Sequence, residues 1–386
     1  MSWKELFFSL LRFEICGEPL SDGAKNAVNE ESTARLHALS CTHDLGHLVG
    51  DALQKNGLLN GEQSENKKYL QQCFTAVYRY ELLQYELDEI SRVLEEECVL
   101  FVPLKGSLMR KYYPQAWMRT SADVDVFVQE TDVERVKTIF CEKLSYRFET
   151  QWKTEYSFYS ESGMHIEVHT ALCEQGDAQY EVLKDFPDGT VAADGKTYQR
   201  KMTDELYYFY HIAHMAKHLR HGGCGVRPFI DIFLLNEHVS YDKERLNDLL
   251  QKGGLTKFAT IAEELSRVWM KGEPHTAQTA DLEEYILRGG TYGNSENLVA
   301  VEQVKKGGKF RRLLSLVFLP YDQLKLQYPA LAKRKWLLPF YEIKRWCRII
   351  FKGGLKIAKK QAKLNDAVSD EYMRKVAALL NDLELN

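Results

Sequence analysis

Two aspartates separated by a single residue form the pattern that points most directly to chemistry. Asp123 and Asp125 lie within residues 121–128, where valine occupies every second position from 124 onward. Alternate side chains of a β-strand point to opposite faces, so the carboxylates share one face and the valines pack on the other. Adjacent carboxylates repel each other, and a divalent cation between them favours the ionised form of both. We therefore predict a strand that presents a metal-binding pair, although an isolated Asp-x-Asp also fits a solvated strand edge.

Polar residues before and after this strand extend the pattern. Gly106 and Ser107 follow an apolar run at 99–102, and Glu167 lies within a second alternating stretch at 164–169. Glycine lets the backbone approach a phosphate closely, and free N–H groups at the start of a helix attract anions. Such a turn is also a common connection between a strand and a helix. A Gly-Ser turn, an Asp-x-Asp strand and a third carboxylate in this order nevertheless predict a metal-dependent site for nucleotide phosphates.

This order of residues resembles the active-site pattern of the polymerase-β-type nucleotidyltransferase superfamily. More closely, the chain is similar to a bacterial family of uncharacterised nucleotidyltransferases that carries a Leu-Lys-Gly signature. The matching stretches are Leu104-Lys105-Gly106, Tyr113-Pro114, Arg119, Glu167-Val168-His169, His214-Met215-Ala216-Lys217-His218, Arg227, Asp231, Tyr328-Pro329 and Leu337-Leu338-Pro339. Fifteen residues separate Ser107 from Asp123, slightly more than is usual in the superfamily. The likeness extends over most of the chain and implies a small mixed-sheet nucleotidyltransferase core.

The resemblance implies an enzyme that transfers a nucleoside monophosphate from a nucleoside triphosphate to an acceptor that its motifs do not identify. We expect AMP from ATP, with two Mg²⁺ ions, or Mn²⁺ in their place, about 3.5–4 Å apart. Asp123, Asp125 and Glu167 would be the catalytic and metal-binding residues, and Glu167 would hold the metal that activates the acceptor or take its proton. The implied nucleotide-binding residues are Lys105, Gly106, Ser107, Arg119, His169, His214, Lys217, His218, Arg227 and Asp231.

Simpler explanations remain open for some of these side chains. Lys105 and Arg119 could each form a surface salt bridge instead of binding phosphate. Arg227 lies four residues before Asp231, a spacing that allows an intrahelical ion pair. As a whole, the chain could also be a non-catalytic nucleotide-binding or assembly protein, but three converging acids favour the enzyme.

Histidines at two places suggest other sites. His214 and His218 have the i, i+4 spacing of zinc ligands, but the glutamate of a metalloprotease helix is missing between them, so we expect them to face the nucleotide cleft. His43 and Asp44, with His47, superficially resemble a His-Asp phosphohydrolase motif. Because apolar residues surround them at helical spacing, we predict that these histidines are buried in a core.

Composition restricts the class of protein. The chain has 386 residues, of which 45% are apolar, enough for two or three domains. Its eight cysteines are scattered without Cys-x-x-Cys spacing, which indicates reduced thiols and a cytoplasmic protein, not a disulfide framework or a zinc knuckle. The first residues do not resemble a signal peptide, and the longest apolar runs are shorter than a transmembrane segment.

A basic segment near the end of the chain contrasts with an acidic remainder. Residues 305–363 contain 17 Lys or Arg and two acids, which leaves the rest of the chain with a net charge of −19. Such a segment suggests a polyanionic partner, or a helix lying on a membrane surface, or simply a solvated helical face. Interleaved aromatic residues also allow RNA binding. The acidic body disfavours a dedicated nucleic-acid-binding protein.

Hydrophobic periodicity predicts an α+β fold. The predicted strands are residues 98–103, the strand of the two aspartates, 154–160 and 164–170, and Asp132 is expected to cap a helix that ends near 144. Helices fill the rest and are separated by glycine pairs, among them Gly222-Gly223 and Gly353-Gly354. We divide the chain into a helical N-terminal region (1–97), an α/β core (98–200), a helical substrate-binding region (201–300) and a basic helical C-terminal region (301–386).

Overall fold

The structure is a computed structural model that describes residues 1–59, 64–351 and 355–385. Its centre is a mixed five-stranded sheet with strand order β1-β2-β5-β4-β3, and a two-stranded sheet of β6 and β7 lies beside it. The strands are β1 (Phe101–Pro103), β2 (Asp123–Val128), β3 (Arg147–Trp152), β4 (Glu155–Tyr159), β5 (His165–His169), β6 (Thr190–Ala192) and β7 (Arg200–Met202). Helices flank the sheet on both sides in the sequence, which confirms the α+β fold and its small mixed-sheet core. The Gly353-Gly354 pair lies outside the described residues.

The helices are α1 (Trp3–Cys16), α2 (Asp22–Asn26), α3 (Glu30–Thr42), α4 (Gly46–Lys55), α5 (Ser64–Glu96), α6 (Gly106–Met109), α7 (Val133–Lys143), α8 (Tyr180–Leu183), α9 (Asp204–Leu219), α10 (Arg227–His238), α11 (Lys243–Lys252), α12 (Thr256–Lys271), α13 (Ala277–Gly289), α14 (Ser295–Lys306), α15 (Lys309–Val317), α16 (Tyr321–Gln327), α17 (Ala330–Lys333), α18 (Leu338–Phe351), α19 (Leu355–Ala367) and α20 (Asp370–Asp382). Short 3₁₀ turns connect several of them. No helix in the described part of the chain is both long and apolar enough to cross a membrane.

The two faces of the sheet have different environments. Val124, Val126 and Val128 of β2 point into a core that they share with apolar residues of α5 and α7, such as Leu94 and Phe140. The opposite face of β2 carries the aspartates and faces the second core, which joins α1, α3 and α4 to α9–α14 and α20. The alternation along β2 therefore separates a buried apolar face from a polar face, as the sequence predicts.

Local sequence explains where the observed elements differ from the predicted ones. The first strand begins at Phe101, three residues later than predicted, because Cys98 has a left-handed backbone with φ of 54°. Strand β3 was not predicted, since five of its six side chains are exposed and it shows no alternating burial. The helix predicted near 133–144 is present as α7, but the Asp132 side chain makes no capping hydrogen bond.

Candidate active site

The pairing of β2 with β5 sets the geometry of the polar face. The two strands are parallel, and their register places Asp123 opposite His165 and Asp125 opposite Glu167. One step further, Phe127 lies opposite His169. Residues directly opposite on neighbouring strands project to the same side of a sheet. The register therefore brings three carboxylates and two imidazoles to one face.

These side chains form two overlapping groups of metal-ligating atoms. Asp123, His165 and Glu167 make one group, and Asp125, Glu167 and His169 make the other, each with ligand atoms within 4.8 Å of one another. Carboxylate oxygens suit Mg²⁺, and a mixture of carboxylate and imidazole also suits Mn²⁺ and other first-row metals. The donor atoms of this face therefore fit one or two divalent cations, with Glu167 shared between the groups.

Two cationic side chains form hydrogen bonds with the buried Asp125 carboxylate. The Lys105 ammonium and the His169 Nε2–H each donate a hydrogen bond to Asp125 Oδ1 at 2.7 Å. Burial alone would raise the pKa of Asp125, but these cations hold that pKa well below its ordinary value. Burial works against the charged imidazole, yet hydrogen bonds to Asp125 and Glu167 raise the pKa of His169 to about 9. Asp125, Lys105 and His169 therefore form a charged cluster.

Asp123 has the opposite electrostatic environment. Its side chain is mostly buried, it forms no salt bridge within the described residues, and the neighbouring Asp125 and Glu167 add like charges. Burial first and these carboxylates second raise the pKa of Asp123 to about 6. Two aspartates with displaced pKa values in one cleft are typical of functional sites. A bound cation would stabilise the ionised form of Asp123.

The turn before α6 positions Lys105 over this face. Lys105 has φ of 48°, a left-handed conformation that is unusual for a residue with a long side chain. The Leu104 N–H donates to Asp125 O, and the Tyr207 hydroxyl donates to Lys105 O at 3.0 Å. At the next residue, a Cβ on Gly106 would lie 3.3 Å from Ser121 Cβ, so glycine permits the close approach. Strain held by several bonds at one site is typical of functional turns.

Ser107 lies apart from the carboxylates. Its hydroxyl donates to Leu104 O at 2.7 Å, and its side chain borders a cavity on the α5 side together with Pro103 and Leu108. The helix that begins at this turn is short, because α6 ends at Met109 and a 3₁₀ turn follows. The turn therefore directs Lys105 and Gly106, rather than the Ser107 hydroxyl, toward the aspartates.

Arg119 and Asp231 form a buried ion pair behind the cleft. The Arg119 guanidinium donates from Nε and Nη2 to the Asp231 carboxylate at 2.8–3.1 Å, and the Tyr113 hydroxyl donates to the same carboxylate at 2.7 Å. Burial opposes ionisation of Asp231, but Arg119 lowers its pKa. The fork of Arg119 is thus occupied by a carboxylate, with one Nη1–H directed to Thr120 O.

The intrahelical ion pair that the spacing of Arg227 and Asp231 allows is not observed. Arg227 Nη1 instead donates to Asp44 Oδ2 at 2.7 Å and to the backbone and hydroxyl oxygens of Thr120. Asp44, in the turn between α3 and α4, has a left-handed φ of 54°. This conformation directs the turn toward α10. The two arginines of the sequence motif therefore connect the segment before β2 to α10 and to the turn between α3 and α4.

The histidines of α9 form part of the cleft wall. His214 and His218 approach each other with their Nε2 atoms 3.2 Å apart. Burial lowers the pKa of both, and Lys105 lowers each further. His218 adds to the effect at His214, and the pKa of His218 itself falls to about 4. His43 and His47 are buried, as predicted for core residues. His47 Nε2 makes a 2.8 Å hydrogen bond with Met118 O.

Two adjoining cavities meet at Lys105. One, of about 250 Å³, contains Asp123, Asp125, Gly106, Arg119 and Arg227. The other, of about 270 Å³, contains His169, Lys217, Lys153 and the exposed Trp152. Both are lined by Lys105, Tyr210, His214 and His218. The structure thus brings most of the sequence-predicted site residues to one double cleft. Glu167 lies beside it, with its carboxylate 4.0 Å from Lys105 Nζ, while Asp231 lies behind the cleft and Ser107 outside it.

A comparison with protein families gives this geometry its biochemical class. The model of a family of uncharacterised nucleotidyltransferases matches residues 29–271, more than half of the chain. The chain belongs to this family of nucleotidyltransferases. It is therefore an enzyme of nucleotidyl group transfer that uses a nucleotide substrate. No curated protein and no solved structure matches the chain significantly.

The matched range of the nucleotidyltransferase includes every predicted site residue and leaves the basic segment outside. Within that range, the structure adds residues that were not predicted. His165 points to the same face as Glu167, and the alternation of β5 could have indicated it. Tyr207 and Tyr210 line the cleft from α9, and Asp44 contacts Arg227 of the cleft, which is 183 residues away in the sequence. No local pattern could have identified these three residues, because only tertiary packing brings them to the site.

Proposed function

We propose that this nucleotidyltransferase transfers a nucleoside monophosphate from a nucleoside triphosphate to an acceptor, with ATP as the first candidate for the triphosphate. The acceptor would bind in the second cavity, which contains His169 and Lys217. The observation that carries the proposal is the β2–β5 register, which places Asp123, Asp125 and Glu167 on one face beside Lys105. A binding protein has no need for three acids whose mutual repulsion must be overcome. Two connected cavities provide space for a donor and an acceptor.

The proposed chemistry requires divalent cations, and the donor atoms of Asp123, Asp125 and Glu167 fit them. When bound, Mg²⁺ or Mn²⁺ would stabilise the negative charge on the phosphate oxygens. His165 and His169 would orient Glu167, which lies 3.4 Å from both imidazoles. Asp125 and Glu167 would thereby be held in place by neighbouring side chains.

Lys105 would bind the triphosphate. Its ammonium lies at the junction of the two cavities and is 2.7 Å from Asp125 and 4.0 Å from Glu167. A phosphate that enters next to Asp125 would compete for this ammonium, because a phosphate carries more negative charge than a carboxylate. Gly106 would permit the close approach of the same phosphate to the backbone.

Group transfer would proceed by in-line attack. An acceptor hydroxyl forms the new O–P bond at the α-phosphorus, the bond from that phosphorus to the bridging oxygen of pyrophosphate breaks, and the hydroxyl proton passes to Glu167. The acceptor oxygen would have to lie on the side opposite the leaving pyrophosphate. The two cavities that meet at Lys105 would allow the acceptor and the leaving pyrophosphate to lie on opposite sides of the α-phosphorus.

The test is transfer of label from each α-³²P nucleoside triphosphate in the presence of Mg²⁺ or Mn²⁺ and a cell extract as the source of acceptor. We expect a labelled acceptor and equimolar pyrophosphate with the parent protein, and neither with Asp123→Asn. Asp194→Asn, a change at an exposed carboxylate in the β6–β7 connection, is the matched control and should transfer label normally. Nucleotide binding without transfer from any triphosphate would instead support a non-catalytic nucleotide-binding protein.

A further inference from the structure

Helix α18 is oriented with its charged residues inward. Glu342 and Arg345 are 4% and 5% exposed, and Arg345 Nε donates to Glu342 Oε2 at 3.0 Å. Glu342 Oε1 accepts the Leu319 N–H at 2.7 Å, and Arg345 donates to Val317 O. These bonds join α18 to the end of α15. Because a buried ion pair is costly to break, they fix which face of α18 is turned away from the protein.

The face turned outward is apolar. Phe340, Ile343, Ile350 and Phe351, which we call the apolar stripe, are all more than half exposed, and Phe351 reaches 83%. Their spacing of three, seven and one residues places them within a narrow arc of a helix that turns 100° per residue. Cys347 falls on the same arc and is exposed. An exposed apolar stripe on the outer face of a helix indicates a site that binds a partner or a membrane.

Helix α15 repeats the arrangement. Phe310, Leu314 and Val317 recur at i, i+4 and i+7, and all three are exposed. On the other side of the helix, the buried Arg312 bonds to Glu302 at 2.7 Å and to Gln361 at 3.1 Å. Its buried guanidinium attaches α15 to α14 and α19, so the apolar residues of α15 also face away from the protein.

The charges beside these apolar residues are basic. Lys344 and Arg348 are exposed and lie at most a quarter turn from the apolar stripe. The surrounding residues 305–363 carry 17 basic and two acidic side chains, and one of those acids is the buried Glu342. An exposed apolar stripe with basic residues on its flank is the pattern of helices that lie in the plane of an anionic membrane surface.

We propose that α18, with α15, binds an anionic lipid bilayer and holds the nucleotidyltransferase at a membrane surface. Phe340, Ile343, Ile350 and Phe351 enter the boundary between headgroups and acyl chains, while Lys344 and Arg348 contact lipid phosphates. A nucleic acid would satisfy the basic side chains but would leave the isoleucines in water. A second copy of the chain would offer its acidic body to the basic residues, but it would need an apolar counterpart for the stripe.

The experiment is cosedimentation with vesicles of phosphatidylcholine alone and of equal parts phosphatidylcholine and phosphatidylglycerol. We expect the full chain to pellet with the anionic vesicles only. The variant Phe340→Ser/Ile343→Ser/Ile350→Ser should bind these vesicles at least about tenfold more weakly. The matched control is Phe74→Ser/Tyr78→Ser, which removes an exposed, stacked ring pair from α5 and should bind like the parent.

A charge variant separates the contribution of the basic residues to vesicle binding from that of the apolar stripe. Lys344→Glu/Arg348→Glu should weaken binding to anionic vesicles, and raising the salt concentration should weaken the parent in the same way. Lys25→Glu/Lys67→Glu has the same change in net charge at exposed positions far away in the sequence and should have little effect. Circular dichroism and the melting temperature identify any variant that fails to fold, and Phe340→Leu then serves as the conservative comparison.

Three outcomes would overturn the proposal. The first is equal sedimentation with neutral and anionic vesicles. The second is a parent dimer that the serine variant converts to a monomer without any change in vesicle binding, which would assign the stripe to a second copy. The third is binding of a single-stranded oligonucleotide that Lys344→Glu/Arg348→Glu abolishes, with no vesicle binding by the parent. Vesicle binding requires no nucleotide, so its failure would leave the proposed transfer reaction unaffected.

Discussion

The Lys105 ammonium lies 2.7 Å from Asp125 Oδ1, and this contact joins the turn before α6 to the strand of the two aspartates. His169 donates to the same oxygen, so the charge of Asp125 is balanced by two cations. A divalent cation that binds Asp125 Oδ1 must displace at least one of them, because like charges cannot share the oxygen at short distance. The displaced ammonium is then available to the phosphate of a nucleotide. Metal and nucleotide binding would thereby be coupled through one lysine.

Replacement of Lys105 should change metal and nucleotide binding in opposite directions. Lys105→Met removes the competing cation, so we expect Mn²⁺ or Mg²⁺ to raise the melting temperature more in this variant than in the parent. The KM for the nucleotide should rise by about tenfold or more, since a charge-assisted bond to phosphate is lost. Thermal shift with metal titration and initial-rate kinetics measure the two effects.

The control for this prediction is Lys153→Met, a change at the second cavity that leaves Asp125 untouched. It should keep the metal response of the parent. Weaker metal binding by Lys105→Met would show that the lysine does not compete with the cation.

The two aspartates should differ in their effect on stability. The pKa of Asp123 is raised to about 6 in the folded protein from 3.8, so its ionisation costs stability as the pH rises from about 4 to 6, and the cost remains above pH 6. Asp123→Asn removes this cost and should raise the melting temperature of the metal-free protein at pH 7.5. Asp125→Asn leaves the charges of Lys105 and His169 without their partner. It should lower the melting temperature, with a loss in the free energy of unfolding on the order of 3 kcal/mol.

Differential scanning calorimetry of both variants without metal shows whether each melting temperature rises or falls. Both variants should also lose nucleotide transfer. An equal fall in melting temperature for both would contradict the assignment of different charge environments. Retention of full activity in either variant would remove that aspartate from the metal site.

The sequence predicts the strands of the site better than their pairing. Alternating valines place Asp123 and Asp125 on one face, and the alternation at 164–169 does the same for Glu167, because a strand repeats every two residues. Parallel pairing of β2 with β5 joins segments about forty residues apart, and no local signal sets its register. The bond between Arg119 and Asp231 spans 112 residues and is likewise a product of tertiary packing.

Helix α18 illustrates the other limit of prediction from sequence. Its apolar residues recur at helical spacing, which ordinarily indicates a face packed on a core. The structure instead buries Glu342 and Arg345 and exposes Phe340 and Ile343. The buried pair satisfies backbone groups at the end of α15, and hydrogen bonds of this kind are not visible in a pattern of hydrophobicity.

The buried pair of Arg119 and Asp231 should be essential for stability only as a pair. Asp231→Asn leaves the Arg119 charge buried without a counter-charge and should cost about 3–5 kcal/mol in the free energy of unfolding. The double variant Arg119→Met/Asp231→Leu removes both charges and should be more stable than Asp231→Asn alone. Urea unfolding at neutral pH measures both. A double variant that is no more stable than Asp231→Asn would show that the unpaired charge of Arg119 is not the cause of the loss.

Protonation of a buried histidine should destabilise the protein in mild acid. Burial lowers the pKa of His43 to about 4 from 6.5, and its Nδ1 has no hydrogen-bond partner in the described part of the chain. The unfolded chain binds a proton to this residue below pH 6.5 while the folded protein does not, so stability falls as the pH drops from 6.5 to 4. The contribution of one such shift is at most about 3 kcal/mol.

The variant His43→Leu should therefore show a smaller loss of stability between pH 6.5 and 4 than the parent, as measured by urea unfolding at several pH values. A leucine fills a similar volume in the apolar surroundings of His43. His221→Gln, which changes an exposed histidine, is the control and should keep the slope of the parent. An unchanged slope in His43→Leu would assign the acid sensitivity to other groups.

Glu167 gives the sharpest test of catalysis because its loss should separate binding from turnover. It lies opposite Asp125 on β5, and His165 and His169 are each 3.4 Å from its carboxylate oxygens. Glu167→Gln keeps the size of the side chain and part of its hydrogen bonding, but it removes the charge that, in the proposed reaction, would bind a cation and accept the proton of the attacking hydroxyl. Lys105 and the two aspartates remain, so the nucleotide should still bind with nearly the affinity of the parent. Turnover should fall by a factor on the order of 10² or more, in kcat and not in KM. Calorimetry of triphosphate binding and pyrophosphate release with cell extract measure the two quantities, and Glu161→Gln, a change at an exposed glutamate between β4 and β5, is the matched control. If Glu167→Gln releases pyrophosphate as fast as the parent, Glu167 neither holds the reacting cation nor takes the proton, and the acid of the reaction must be sought among the remaining side chains of the face.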